Sequence, residues 1–66
     1  MSDLEIIGTI VRSGSEEVLI KKGKYWNVEV LDIRWHLHEK PSRKGIRMNM
    51  EEAKQLLEIL RRELDD

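Results

Sequence analysis

Apolar residues alternate with polar ones through much of the first half of the chain and recur at helical spacing in its last quarter. Leu4 to Arg12 is rich in β-branched residues (Ile6, Ile7, Thr9, Ile10, Val11), which predicts a strand. Gly8 inside it marks a bend or bulge. Ser13-Gly14-Ser15 is a turn signal. Glu17 to Lys22 predicts a second strand, with Val18 and Ile20 on one face and Leu19 and Lys21 on the other. Lys22-Gly23-Lys24 then predicts a tight basic turn. Tyr25 to Leu37 predicts a long third strand. Its period-two alternation sets Leu31, Ile33, Trp35 and Leu37 on an expected core face. Asp32, Arg34 and His36 fall on an expected solvent or ligand face.

His38 to Gly45, with Pro41 as a breaker, predicts a loop or wide hairpin, and Ile46-Arg47-Met48 a short fourth strand. Asn49 is a good N-cap, and Glu52 stands three residues on, the capping-box spacing. Met50 to Leu64 holds neither Gly nor Pro and predicts a helix. Ala53, Leu56, Leu57, Leu60 and Leu64 form its apolar stripe, and Ile59 widens it. One small sheet face needs only the main stripe, so the extra width points to a second subunit. Four strands followed by one helix is an α+β pattern. A single helix covers one face of such a sheet. The face carrying Arg34 is expected to stay open, and an open basic antiparallel face suits nucleic acid.

Composition sharpens this picture. A chain of 66 residues is one domain, 1–66. A domain that small buries only ~60% of its unfolded surface and often gains the missing core by pairing with a second copy. Without cysteine, disulfides and thiolate zinc sites are excluded. The acidic N-terminus, Met1-Ser2-Asp3-Leu4-Glu5, has no signal-like apolar run, and no segment reaches the ~20 apolar residues of a membrane span. A soluble cytoplasmic protein, with nucleoid association as a further expectation, follows. The net charge of −1 hides an asymmetry. Lys21 to Arg47 carries eight basic residues against three acids, or +5, and the remainder four against ten, or −6. A basic middle between acidic ends suits one surface that meets a polyanion, or else a salt-bridged, well-solvated surface.

An enzyme reading has little support, because the chain has no glycine-rich phosphate loop, cysteine nucleophile or His-x-x-x-His helix. His36 and His38 alternate with Leu37 and would bind a metal only if Asp32 or Glu39 joined them; two half-exposed histidines is the plainer reading. No cofactor or small-molecule substrate is expected. Asp32 beside Arg34 reads as an ion pair that positions the arginine. Tyr25 and Trp26 stand beside the basic run Lys21-Lys22-Gly23-Lys24, and cations interleaved with aromatics suit single-stranded nucleic acid. Their alternation places one of the two in the core. Trp35 shares the face of Leu31, Ile33 and Leu37 and reads as core. Arg43-Lys44-Gly45 is a basic loop end where glycine permits a close approach.

Asp32-Ile33-Arg34, then Lys40-Pro41-Ser42-Arg43-Lys44-Gly45-Ile46, then Asn49, Glu51 and a helix carrying Leu56 resemble the positive cofactor four family of transcriptional coactivators. The resemblance runs from Val18 to Leu60. It implies a curved four-stranded antiparallel sheet followed by one C-terminal helix. It also implies a homodimer made through helices and sheet edges, and two sheet grooves for antiparallel single strands of DNA. Arg34 matches the strand arginine that contacts DNA, and Lys44 the basic residue before the loop glycine. Lys22 and Lys24 fall in the basic hairpin, and Tyr25 or Trp26 near the stacking aromatic. Leu37 stands where the family often has an aromatic, and Ala53 where a large helix residue is common. A compact prokaryotic or phage-type member is implied. The expected activity is single-stranded-DNA binding with little sequence preference, serving transcription, repair or replication. Capture would fall to Lys22, Lys24, Arg34, Arg43 and Lys44, with stacking on Tyr25 or Trp26. RNA, or an acidic protein on the same face, are the alternatives.

Overall fold

A computed structural model of the chain describes residues 3–65. Strands β1 (Asp3–Val11), β2 (Glu16–Tyr25), β3 (Val28–Leu37) and β4 (Lys40–Asn49) are followed by helix α1 (Met50–Leu64). The four strands form one antiparallel sheet in the order β1-β2-β3-β4, an α+β meander. Among the described residues no helix is long and apolar enough to cross a membrane.

The hairpins explain where the strands end. Trp26 and Asn27 have φ of 55° and 64°, and His38 and Glu39 have φ of 52° and 66°. Two-residue loops with positive φ at both positions match the right-handed twist of flanking strands. The expected turn at Lys22-Gly23-Lys24 is therefore not formed: Gly23 lies inside β2, opposite Val30. Tyr25 closes β2 rather than opening β3. The register that results sets Val18 against Trp35 and Ile20 against Ile33, and such apolar pairing fixes register more strongly than a lone glycine can.

The expected loop at His38–Gly45 is likewise mostly strand, and β4 has ten residues rather than three. Pro41 is tolerated because β4 is an edge. Between the pairs Arg34–Gly45 and His36–Pro41, β3 advances two residues and β4 advances four. Ser42 fills this bulge: its Oγ donates to the Trp35 carbonyl at 2.9 Å and accepts from the Lys44 N–H at 3.1 Å. The bulge anticipated at Gly8 is present too, as a register shift between Ile6 and Gly8.

Residues directly opposite across a ladder share a face. One face carries Val18, Ile20, Leu31, Ile33, Trp35, Ile46 and Met48; the other carries Leu19, Lys21, Val30, Asp32, Arg34, His36 and Arg47. The division of β3 into two faces is the expected one, but burial is reversed. Leu31, Ile33 and Trp35 are half-buried and Leu37 is exposed, whereas Val30, Asp32 and His36 are buried. The reason lies in how little the helix covers. The capping box forms, with Asn49 Oδ1 accepting from Glu52 N–H at 2.8 Å and Glu52 Oε1 accepting from Asn49 N–H at 2.9 Å. Helix α1 nevertheless meets only β3 and β4 and buries none of its residues. Val30 and Met48 are the only buried hydrophobic residues among those described.

Gly45 lies opposite Arg34, and a Cβ there would stand 2.6 Å from the Ile33 carbonyl oxygen and 2.9 Å from Arg34 Cα. Both neighbours are backbone, so the sheet itself would have to move. Gly45→Ala is expected to destabilise the fold by about 1–3 kcal/mol, the usual cost of overpacking. Urea unfolding at matched protein concentration measures it.

Candidate nucleic-acid interface

Asp32 is the centre of the polar face. Across the two ladders it stands opposite Lys21 on β2 and Arg47 on β4, with Arg34 two residues along its own strand. Its carboxylate accepts from Arg34 Nε at 3.5 Å and from Arg34 Nη2 at 3.2 Å. Arg47 Nε lies 3.5 Å from the same carboxylate. The Asp32 side chain is only 5% exposed, while those of Arg34 and Arg47 are 25% and 34% exposed. Burying a carboxylate is costly unless it is paired and hydrogen-bonded, and two guanidiniums supply that here.

Each arginine has a second anchor. Arg34 Nη1 donates to the Ser42 carbonyl at 3.0 Å, which ties the β4 bulge to the cluster. Arg47 Cζ lies 4.3 Å from the centroid of the Tyr25 ring, a cation–π contact. A connected path thus runs from Tyr25 through Arg47, Asp32 and Arg34 to Ser42 and Lys44. Asp32 stands in the positioning role expected of it. Arg47 and Ser42 belong to this cluster although the sequence pattern alone does not mark them. Their part depends on ladder register, and the only local signal is a basic residue, Arg47, within a short fourth strand.

The sequence-predicted residues do not all meet. Arg34 lies on the polar face. Lys22 and Lys24 stand opposite Leu31 and Glu29, on the apolar face. Lys22 Nζ pairs with Glu29 Oε1 at 3.5 Å, both side chains about half exposed, a contact worth little. Arg43 and Lys44 lie exposed along the bulged edge.

Neither Tyr25 nor Trp26 lies in the core as alternation predicted, because the turn at Trp26-Asn27 interrupts the strand and leaves both exposed. Trp35 is half-buried under Arg12, whose Cζ lies 4.3 Å from the ring centroid. Tyr25 carries Arg47 on its ring and meets Trp26 edge-on, with centroids 6.1 Å apart and planes at 84°. Trp26 is 82% exposed at the hairpin tip. His36 is buried on the polar face and His38 sits in the β3–β4 turn. A cavity of about 380 Å³ lies at that far end, lined by Ser13 to Glu17, His38 and Glu39, away from the arginine cluster. Among the described residues no group of three or more His, Asp or Glu is placed to hold a metal. No family model, curated protein or solved structure matches this chain.

Trp26 combines high exposure with a left-handed backbone that bulky side chains adopt at a cost of ~1–2 kcal/mol. Asn tolerates that conformation. Trp26→Asn is therefore expected to stabilise the fold by about 0.5–1 kcal/mol and raise the unfolding midpoint by about 4 °C. Thermal scans of the two proteins at equal concentration check this.

Proposed function

We propose that the protein is a homodimer that binds single-stranded DNA, with little sequence preference, on the face built around Asp32. The observation that carries the reading is the cluster of cations and aromatic rings gathered on the sheet's polar face. It combines Lys21, Arg34 and Arg47 with Tyr25 and the fully projecting Trp26. Cations that neutralise phosphate beside rings that accept unstacked bases are what a single strand requires, with stacking worth ~1–3 kcal/mol per base. Arg43 and Lys44 extend the basic strip along the β4 edge. Lys24 reaches the strand only around the hairpin tip, and Lys22, held by Glu29 on the far face, contributes least.

Surface area supports the second copy. The chain exposes 5704 Å², against ~4,400 Å² for a compact folded chain of 7.8 kDa. The surplus of about 1,300 Å² per chain fits an obligate dimer interface. Exposed Leu57, Ile59, Leu60 and Leu64 on α1, with Ile46 on the apolar sheet face, supply its chemistry. The likeness to the positive cofactor four family points the same way. RNA in the same groove is the second reading, since neither the phosphates nor the ring faces distinguish the two.

Light scattering should give twice 7.8 kDa for the native protein, and Leu60→Asp should halve that mass. Fluorescence anisotropy with labelled oligo-dT should show binding that an equal length of duplex does not compete away. Lys44→Ala should reduce the slope of log affinity on log salt by about 0.7, one single-strand phosphate contact. Lys22→Ala should leave it unchanged. Failure of the native protein to bind oligo-dT at low salt would overturn the proposal.

A further inference from the structure

We infer that Asp32 is a positioning residue that fixes Arg34 and Arg47 to face nucleobases, leaving the phosphates to Lys21, Arg43 and Lys44. The inference rests on the single-strand reading above and names which part of the strand this patch reads. A carboxylate on a phosphate-binding surface repels the ligand, so its presence there needs a compensating gain. The geometry identifies one. Each guanidinium is tied at two points on different residues: Arg34 to Asp32 and to the Ser42 carbonyl, Arg47 to Asp32 and to the Tyr25 ring.

Anchoring of this kind changes what an arginine binds. A free lysine follows a phosphate as the backbone shifts. A guanidinium held at two points cannot do so without breaking the bonds that hold it. The charge available to phosphate is also reduced, because one carboxylate between two guanidiniums leaves a net +1. What persists are the N–H donors not already hydrogen-bonded, two on Arg34 and all five on Arg47, and planar cationic surface. Those groups suit base edges and base faces, which single strands present and a duplex hides. Lys21, Arg43 and Lys44 form no ion pair or side-chain hydrogen bond among the described residues, and remain free to follow the backbone.

The test compares oligo-dT with an abasic oligomer of the same length, each titrated over a range of salt. The native protein should bind dT about tenfold more tightly than the abasic strand. Arg47→Gln should lose three- to tenfold on dT while its abasic affinity and its salt slope stay unchanged. Lys44→Ala should weaken both oligomers alike and lower both slopes by about 0.7. Asp32→Asn, which frees both guanidiniums, should tighten abasic binding and narrow the dT preference. Arg47→Gln leaves the buried Asp32–Arg34 pair intact, so the test stands even where Asp32→Asn does not fold. Equal native affinity for the two oligomers would overturn the inference and leave the single-strand reading in place. So would a loss of about 0.7 in slope for Arg47→Gln. No native binding to either oligomer would overturn the single-strand reading, and this inference with it.

Discussion

One helix of fifteen residues cannot cover a four-stranded sheet, and the rest of the molecule follows from that shortage. Helix α1 is about 22 Å long and touches only the two strands that precede it. With two buried hydrophobic residues, the described chain has no core of the size a stable domain needs. Ile46 on the apolar sheet face and Leu57, Ile59, Leu60 and Leu64 on the helix stay exposed. Exposed apolar surfaces on sheet and helix of one chain are what the proposed second copy would cover. On that proposal, stability and assembly are a single quantity that depends on protein concentration.

The polar face depends on a different balance. Asp32 is among the most buried side chains described, on the face that sequence patterning assigned to solvent. Its carboxylate is paired with the guanidiniums of Arg34 and Arg47. Long cationic side chains cover surface while keeping their charged ends wet. Removing either guanidinium leaves the other, so the carboxylate is never stranded by one change. Losing the carboxylate places two like charges side by side, which is the costlier change. Ser42 extends the same logic into the edge strand. Its hydroxyl bridges the Trp35 carbonyl and the Lys44 N–H, satisfying backbone groups that the bulge takes out of the ladder.

How much of this could be read in the sequence depends on whether the signal was local. The helix could: its stripe, its N-cap at Asn49 and its capping partner Glu52 lie within a few residues of one another. The two faces of β3 could also be assigned, because alternation is local. Strand ends could not. Gly23, Pro41 and Gly45 carry turn and loop composition, yet all three lie in strands. Gly23 is held there by the pairing of its neighbours, Pro41 by the open edge, and Gly45 by the close pass of β3. The turns themselves fall on Trp26-Asn27 and His38-Glu39, of which Asn27 is the residue with a strong turn preference. Lys22 and Lys24 illustrate the consequence for the site. A turn at Gly23 would have left their faces undefined, whereas their place in β2 puts them opposite Leu31 and Glu29. Arg47 entered the cluster only through β3–β4 register, which no local pattern specifies.

Trp26 brings the two arguments together. A bulky residue in the left-handed region is a strained choice for a tight hairpin, and Asn or Gly would relieve it. Its indole is 82% exposed and has an edge contact with Tyr25, so packing within the chain offsets little of that strain. Tyr25 in turn carries Arg47, which the Asp32 carboxylate holds. The strained tip is thus one end of the same connected path that anchors the guanidiniums. A hairpin optimised for folding alone would have placed a small residue there. On the single-strand proposal, a flat ring presented beside fixed cations offsets that cost.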